Sequence, residues 1–227
     1  MTLIILACFF IFLYILYYIS RDDFVIVRKD VAMEKIFNLA FLASLVALFF
    51  SRIFFVLIHP DPKLLNPLGF LALPYFPGLS LMGGIASAGI FIFLYASNKK
   101  LPVGKIMDLF TLSLLGVMPI GYAINFLVHF GKVSLFNNIF LTISFLLVLI
   151  FAKIVYPFSN RGEIKDGSLS LIYTSVVSFL YFLTKLFLNI KDFSFLNVEN
   201  ILVLVVLFSS LILLVNLEIM DKFLLKK

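Results

Sequence analysis

The sequence predicts an all-α integral membrane protein with seven transmembrane helices. Hydrophobic residues make up 63% of the 227 residues and charged residues only 13%, whereas about 25% of the residues in an ordinary soluble domain are charged. A run of about 20 apolar residues crosses the hydrocarbon core as a helix. The apolar runs here are too continuous for the alternating strands of a membrane barrel. We therefore predict a single transmembrane domain over residues 1–227.

Charged or proline-rich segments separate the seven apolar runs. The first run ends in a cluster of tyrosines, which are common at membrane interfaces, and the charged residues of 21–35 follow it. The later connections are short, and the most polar of them is 158–167. The predicted spans are 2–20, 36–58, 79–97, 106–128, 135–157, 168–190 and 201–217.

Residues 59–77 have a different pattern. The run His59-Pro60-Asp61-Pro62 is followed by Pro67, Pro74 and Pro77, and proline breaks a helix because it lacks the backbone donor and clashes with the preceding turn. The segment nevertheless stays apolar. We expect it to form an arm in the membrane interface, beside the ends of the spans.

The distribution of basic residues predicts the orientation. If the amino terminus is outside, the outer connections contain only Lys63, Lys132, Lys185 and Lys191. The inner connections and the carboxy terminus then contain the other basic residues, as the positive-inside rule requires. The net charge of +6 is thus a topology signal, and we predict no nucleic-acid partner. The single Cys8 excludes an internal disulfide and a cysteine metal cluster, and we predict neither a metal nor a cofactor.

A few polar residues and glycines within the spans are candidate functional residues, because polar groups are costly in a membrane. Arg52 could hold a phosphate or carboxylate, or it could extend to the outer headgroups. Gly83 and Gly84 could admit a lipid headgroup, or they could only pack closely against another helix. Asn125 could bind a ligand or bond to a neighbouring helix. We interpret Asp108, near the start of its span, as structural.

These residues carry a resemblance to the bacterial prolipoprotein diacylglyceryl transferase family. The resemblance is best over residues 45–126 and looser over 168–215. It rests on Ser51-Arg52-Ile53, Gly78-x-Ser80-x-x-Gly83-Gly84, Asp108 and Gly121-x-x-x-Asn125-Phe126.

The resemblance implies a fold, a reaction and a location. Members of the family have seven spans with the amino terminus outside, in the bacterial inner membrane. They transfer diacylglyceryl from phosphatidylglycerol to the lipobox cysteine in the signal peptide of a prolipoprotein. The implied partners are therefore phosphatidylglycerol, or another anionic phospholipid, and the prolipoprotein signal peptide.

The chain departs from the family pattern at two positions. Met82 stands in place of the family histidine, and Tyr122 in place of the signature arginine. Lys185 is a candidate second cation, or it could only anchor the end of its span. His129 is a candidate proton acceptor, or it could be an interfacial histidine with no catalytic role. The expected catalytic residues are Arg52, Asn125, Lys185 and His129, and the expected substrate-binding residues are Ser80, Gly83, Gly84 and Tyr122.

Two other functions stay open. The chain could be a catalytically inactive relative that binds anionic phospholipid or a lipoprotein precursor, because the family histidine and arginine are missing. It could also be a small transporter, although its spans contain few ionisable groups.

Overall fold

The computed structural model describes residues 2–61, 64, 66, 69–70, 78–128, 135–188 and 197–220. Within these ranges the regular structure is helical and contains no strand. Seven of the helices are long and apolar enough to cross a membrane. The prediction of an all-helical protein with seven helices of membrane-spanning length and composition is therefore confirmed.

The helices are numbered here in chain order. A five-residue π-helix, Asn216–Met220, directly follows the last of them. The α-helices are α1 (Thr2–Arg21), α2 (Phe24–Arg28), α3 (Met33–Ile58), α4 (Leu81–Asn98), α5 (Val103–Val128), α6 (Leu135–Asn160), α7 (Ser168–Leu188) and α8 (Val198–Val215).

Side-chain caps explain two helix starts that differ from the predicted boundaries. Helix α4 begins at Leu81 rather than 79, because the Ser80 hydroxyl accepts a hydrogen bond from an amide in the first turn. Helix α8 begins at Val198 rather than 201, because the Asn197 side chain caps it in the same way. Apolar periodicity alone does not locate such caps, since a capping residue lies outside the hydrophobic pattern.

Helix α5 lies at the centre of the bundle and contributes to two buried cores. In the first core, Leu109 of α5 packs in a cluster with Leu16 of α1 and Leu39 of α3. In the second core, Leu115 of α5 packs in a cluster with Phe145 of α6 and Tyr173 of α7. Helix α5 therefore packs against both halves of the bundle.

We name the two ends of the bundle by their buried polar residues. The Arg52 end contains the last turns of α3 and α7 and the first turns of α4 and α8. The Asp108 end contains the last turns of α1 and α6 and the first turns of α5 and α7. Most of the predicted arm at 59–77 lies outside the described residues. The orientation of the two ends across a membrane stays a prediction.

Candidate functional site

Arg52 is buried at the end of α3, with only 2% of its surface exposed. Its Nε donates to the Phe70 carbonyl at 3.1 Å, and its two terminal nitrogens donate to the carbonyls of Gly69 at 3.1 Å and Gly78 at 2.8 Å. The rigid guanidinium fork can satisfy several acceptors in fixed directions. Arg52 therefore joins Gly69, Phe70 and Gly78 to α3, instead of extending to the headgroups.

Ser51 and Ser80 form the adjoining contact between α3 and the start of α4. The Ser80 amide donates to the Ser51 carbonyl at 3.0 Å, and the Ser51 hydroxyl donates to the Ser80 carbonyl at 2.8 Å. The Ser80 hydroxyl in turn accepts from the Gly83 amide at 3.3 Å. Five residues of the motifs that carry the resemblance lie close together and make up the Arg52 cluster: Ser51, Arg52, Gly78, Ser80 and Gly83.

The glycine pair lies where α4 crosses α3. A Cβ added to Gly83 would lie 2.6 Å from the Phe54 ring, so only glycine fits there without a shift. A Cβ added to Gly84 would meet the Ser51 Cβ at 3.4 Å and the Ala47 carbonyl at 3.5 Å. In this structure both glycines serve close packing between helices.

Met82, at the position where the resemblance predicts a histidine, is buried in the second core at 1% exposure. Its sulfur lies 3.9 Å from the Ser178 hydroxyl of α7, at the distance of a weak hydrogen bond. A thioether takes up no useful proton near neutral pH. This position therefore packs α4 against α7 and supplies no base.

Tyr122, at the position where the resemblance predicts an arginine, stacks on Phe145 of α6. The ring centroids are 5.4 Å apart and the planes differ by 9°. Tyr122 is also close enough to Tyr181 of α7 for the two to interact electrostatically. Asn125 follows three residues later on the same face of α5 and is partly buried. These two residues of α5 thus lie on the side of the helix that faces α6 and α7.

Lys185 belongs to a second polar cluster, between α7 and α8. Its ammonium forms an ion pair with the Glu199 carboxylate, with side-chain exposures of 29% and 14%. The Tyr181 hydroxyl donates to the other Glu199 oxygen at 2.8 Å, and the Lys185 ammonium lies 5.6 Å from the centre of the Tyr181 ring. We call these three residues the Lys185 cluster.

The predicted site residues thus fall into distinct contact groups. Ser80 and Gly83 lie in the Arg52 cluster, Lys185 pairs with Glu199, and Tyr122 is close enough to Tyr181 of the Lys185 cluster for an electrostatic interaction. His129 lies outside the described residues. Glu199 was not predicted as a site residue. A usable signal was present: basic Lys185 lies near the end of one span, and acidic Glu199 lies at the start of the next, across a short connection.

A buried ion pair at the Asp108 end was also not predicted from the sequence. Asp23 accepts from the Val25 amide at 3.0 Å, as the cap of α2, and its carboxylate lies 2.9 Å from the Lys105 ammonium. The Tyr156 hydroxyl donates to the same carboxylate at 3.2 Å. Lys105 lies directly before the predicted span 106–128, and so among the basic residues of an inner connection, but it is 1% exposed. No local pattern links two residues so far apart in the chain.

Asp108 is fully buried and caps a helix other than its own. Its two carboxylate oxygens accept from the amides of Gly167 and Ser170, each at 2.8 Å. Gly167 has a φ of +99° and packs against Gly104, where a Cβ on Gly167 would lie 3.1 Å from the Gly104 Cα. This geometry agrees with the structural interpretation of Asp108 and joins α5 to the start of α7.

No group of three His, Cys, Asp or Glu side chains in the described part of the chain is arranged to hold a metal ion. The large cavity between the helices has a volume of about 530 Å³. Of the predicted site residues that the structure describes, none lines this cavity. The apolar space and the two polar clusters of the Arg52 end are therefore separate features.

No protein-family model matches the chain, and no curated protein matches it. The resemblance to the diacylglyceryl transferases accordingly stays a prediction that rests on the motif residues.

Proposed function

We propose that the protein is a divergent prolipoprotein diacylglyceryl transferase-like protein of the bacterial inner membrane. Its substrates would be phosphatidylglycerol and the lipobox cysteine of a prolipoprotein. One observation carries the proposal: motif residues from Ser51 to Gly83, separated along the chain, meet in the Arg52 cluster. A resemblance that came from shared composition alone would not require its residues to contact one another.

The proposed reaction displaces glycerol phosphate from phosphatidylglycerol. The cysteine sulfur forms a bond to the terminal carbon of the diacylglyceryl group. The bond from that carbon to the phosphate oxygen breaks, and glycerol phosphate leaves with the electron pair. The sulfur reacts as a thiolate, so its proton passes to a base or to water at the membrane surface.

The geometry suggests different roles for the two cations. Arg52 donates to the carbonyls of Gly69, Phe70 and Gly78, and it would act as a positioning residue for that backbone. Lys185 is 29% exposed, and it could meet the phosphate while paired with Glu199. A cation directed at the developing phosphate charge stabilises the transition state. Tyr122 and Asn125 would supply neutral hydrogen bonds beside it.

A specific observation favours the alternative of an inactive relative that binds anionic phospholipid or a lipoprotein precursor. Met82 is buried in the core and Tyr122 is stacked on Phe145, so packing occupies both family positions. Removing one preorganised donor from an enzyme site commonly lowers the rate by about a hundredfold to a thousandfold. Binding requires neither group.

Direct transfer tests the proposal. The purified protein, in vesicles with labelled phosphatidylglycerol, would receive a lipobox peptide, and a peptide with cysteine replaced by serine is the control. Cysteine-dependent label on the peptide is the expected result. Label on both peptides, or on neither, would contradict transfer. Retained phosphatidylglycerol binding without transfer would support the inactive relative, and loss of both would leave the fold alone.

Variants distinguish the two cationic roles. Lys185→Met should reduce transfer or phosphatidylglycerol binding, while Lys185→Arg should retain most of it. Arg52→Gln should release the segment before α4, with faster hydrogen exchange at Gly78 and Ser80 as well as lower activity. Arg161→Gln, at an exposed loop position of the Asp108 end, is the matched control for charge loss. Equal effects of Arg161→Gln and Lys185→Met would contradict a local role for Lys185.

A further inference from the structure

Helix α2 lies at the level where the bundle emerges from the membrane. It is the five-residue helix Phe24–Arg28, between the end of α1 at Arg21 and the start of α3 at Met33. Both flanking helices are long and apolar enough to cross a membrane, so the short connection between them stays close to the membrane surface. The Tyr18 ring, in the last turn of α1, is 70% exposed, and tyrosine rings are common at membrane interfaces. We therefore expect α2 to lie in the headgroup region.

One face of α2 is fixed against the bundle. The Asp23 carboxylate caps the helix by accepting from the amides of Val25 at 3.0 Å and Ile26 at 3.3 Å. The same carboxylate pairs with the buried Lys105 ammonium of α5. The Ile26 side chain is 1% exposed and belongs to the first core, and the Val31 amide donates to the Ile26 carbonyl at 3.1 Å. These contacts hold α2 in one orientation, so its opposite face also has a fixed direction.

The opposite face of α2 combines apolar side chains with a cation. Phe24 and Val27 are 67% and 64% exposed. Arg28 follows Phe24 by four residues, so the two share a face of the helix, and Ile26 points to the other side. The Arg28 guanidinium carbon lies 5.7 Å from the centre of the Phe24 ring. An exposed aromatic ring and an exposed cation thus lie side by side at the membrane surface.

The exposed apolar side chains of α2 favour contact with lipid over contact with water. Removing apolar surface from water is favourable, and the acyl chains of the bilayer lie within reach of a helix at its surface. Amphipathic interfacial helices bury their apolar face about 5–10 Å into the boundary between headgroups and acyl chains. At that depth the Phe24 and Val27 side chains meet the upper acyl chains, and the Arg28 side chain extends to the phosphates.

The charges of α2 favour an anionic lipid. Arg28 and Lys29 are exposed, and neither forms an ion pair within the described ranges. A guanidinium can bind a phosphate through two parallel hydrogen bonds. Just before α2, Arg21 is paired with Asp22 at 3.5 Å, so these two charges offset each other. Asp30 is the one exposed carboxylate directly after Lys29.

A second pair of cations lies near α2. Lys99 and Lys100, in the turn between α4 and α5, are exposed. Leu101 follows them and packs against the core that contains Ile26, so this turn and α2 lie at the same end of the bundle. Together, α2 with its two following residues and this turn present four exposed cations and one exposed carboxylate. Each basic side chain near a membrane surface strengthens the attraction to anionic lipid.

We propose that the exposed face of α2 binds an anionic phospholipid of the surrounding leaflet. The Phe24 and Val27 side chains pack against the upper part of its acyl chains, and Arg28 and the neighbouring Lys29 contact its headgroup. The ligand is a lipid of the bilayer and not a soluble anion, because the apolar and cationic groups lie side by side on one exposed face. The site is at the Asp108 end, away from the Arg52 and Lys185 clusters, and does not depend on the proposed transfer activity.

A single tryptophan can report on this contact, because the chain contains none. Phe24→Trp keeps an aromatic ring beside Arg28 and gives the protein one strongly fluorescent side chain. The variant is placed in phosphatidylcholine nanodiscs that contain the same fraction of either brominated phosphatidylglycerol or brominated phosphatidylcholine. Bromine quenches tryptophan only at short range, so the two quenching curves give the relative association constant of the two lipids at this position. Both leaflets have the same composition, so the result is independent of the orientation of the protein.

Phosphatidylglycerol should quench Phe24→Trp more strongly than phosphatidylcholine. The relative association constant should favour phosphatidylglycerol about fivefold, the effect of one basic side chain near an anionic surface. High salt should lower this preference, because it screens exposed charges. Phe151→Trp, at a position of the membrane-spanning part of α6 that is 52% exposed, is the matched reporter and should show no headgroup preference.

Further variants test the cation contact and guard against misfolding. In the Phe24→Trp protein, Arg28→Gln should move the relative association constant toward one. Arg161→Gln, at an exposed position of the loop before α7, is the control for charge loss and should leave it unchanged. Val27→Trp, at the other exposed apolar position of α2, should show the same preference and replaces Phe24→Trp if that variant does not fold.

Three results would overturn the proposal. The first is equal quenching of the α2 reporters by the two brominated lipids. The second is emission that neither brominated lipid quenches, because α2 would then face water or a soluble partner. The third is an equal loss of preference in Arg161→Gln and Arg28→Gln, because the attraction would then belong to the net charge of the protein and not to α2.

Discussion

The Asp23 carboxylate and the Lys105 ammonium are 2.9 Å apart, and neither side chain is more than 1% exposed. The contact joins the turn after α1 to the first turn of α5. Tyr156 of α6 donates to the same carboxylate and lies with its ring 5.4 Å from the Lys105 ammonium. The Asp108 end is therefore held together by a buried ion pair and an aromatic ring, as well as by apolar packing.

Replacing one partner of this ion pair should be strongly destabilising. Lys105→Met leaves a buried carboxylate without its cation, so the free energy of unfolding in one detergent should fall by about 3–5 kcal/mol. Adding Asp23→Asn should recover part of the loss, because asparagine can still cap α2. The exposed pair Arg21–Asp22, at 3.5 Å, is the control, and Arg21→Gln should cost less than about 1 kcal/mol. Similar losses in both single variants would contradict the buried pair.

Asp108 should stabilise the start of α7 by accepting hydrogen bonds from the Gly167 and Ser170 amides. Asp108→Ala leaves the Gly167 and Ser170 amides without their acceptor, which should cost about 1–3 kcal/mol for each buried donor. Hydrogen exchange at Ser170 should accelerate, and protease cleavage in 161–167 should become faster. Asp166→Asn, at an exposed position in the same turn, should leave both measurements unchanged. Unaltered exchange at Ser170 in Asp108→Ala would argue against the cap.

Two of the three glycines of α4, Gly83 and Gly89, should respond differently to replacement by alanine. A methyl group on Gly83 would lie 2.6 Å from the Phe54 ring, whereas one on Gly89 would have its nearest neighbour at 3.9 Å. Gly83→Ala should therefore destabilise the protein by about 1–3 kcal/mol through overpacking. Gly89→Ala should be neutral or more stable by up to about 1 kcal/mol, because alanine favours the helix.

A compensating change can test the origin of the Gly83 effect. Phe54→Ala combined with Gly83→Ala should be more stable than the sum of the two single changes predicts, because the clash is gone. Strictly additive thermal unfolding data would show that Phe54 is not the residue that restricts this position.

The Lys185 cluster should couple α7 to α8. The pair is partly exposed, so a double-mutant cycle with Lys185→Met and Glu199→Gln should give a coupling energy of about 1–3 kcal/mol, between surface and buried pairs. Tyr181→Phe should weaken the cluster further by removing its hydrogen bond to Glu199. A coupling energy near zero in the cycle would mean that the two charges do not stabilise the α7–α8 contact.

For the site residues, the sequence predicts which side chains are unusual but not which groups they contact. Arg52 is identified in the sequence because an arginine in an apolar run is costly. Its partners are carbonyls of Gly69, Phe70 and Gly78, and carbonyls leave no signal in side-chain identity. For Gly83 and Gly84 the sequence allows either ligand contact or close packing, and the neighbouring Phe54 and Ser51 favour packing in this structure.

The sequence by itself determines that the chain is helical and that seven segments can cross a membrane. That information is local, because long apolar runs with few charges need neither water nor a partner to satisfy their backbone. Only the tertiary structure decides which charges meet. Lys105 pairs with Asp23, Lys185 pairs with Glu199, and Asp108 caps α7. These pairings depend on how helices distant in the chain pack against one another, and the energy of a buried charge depends on that placement.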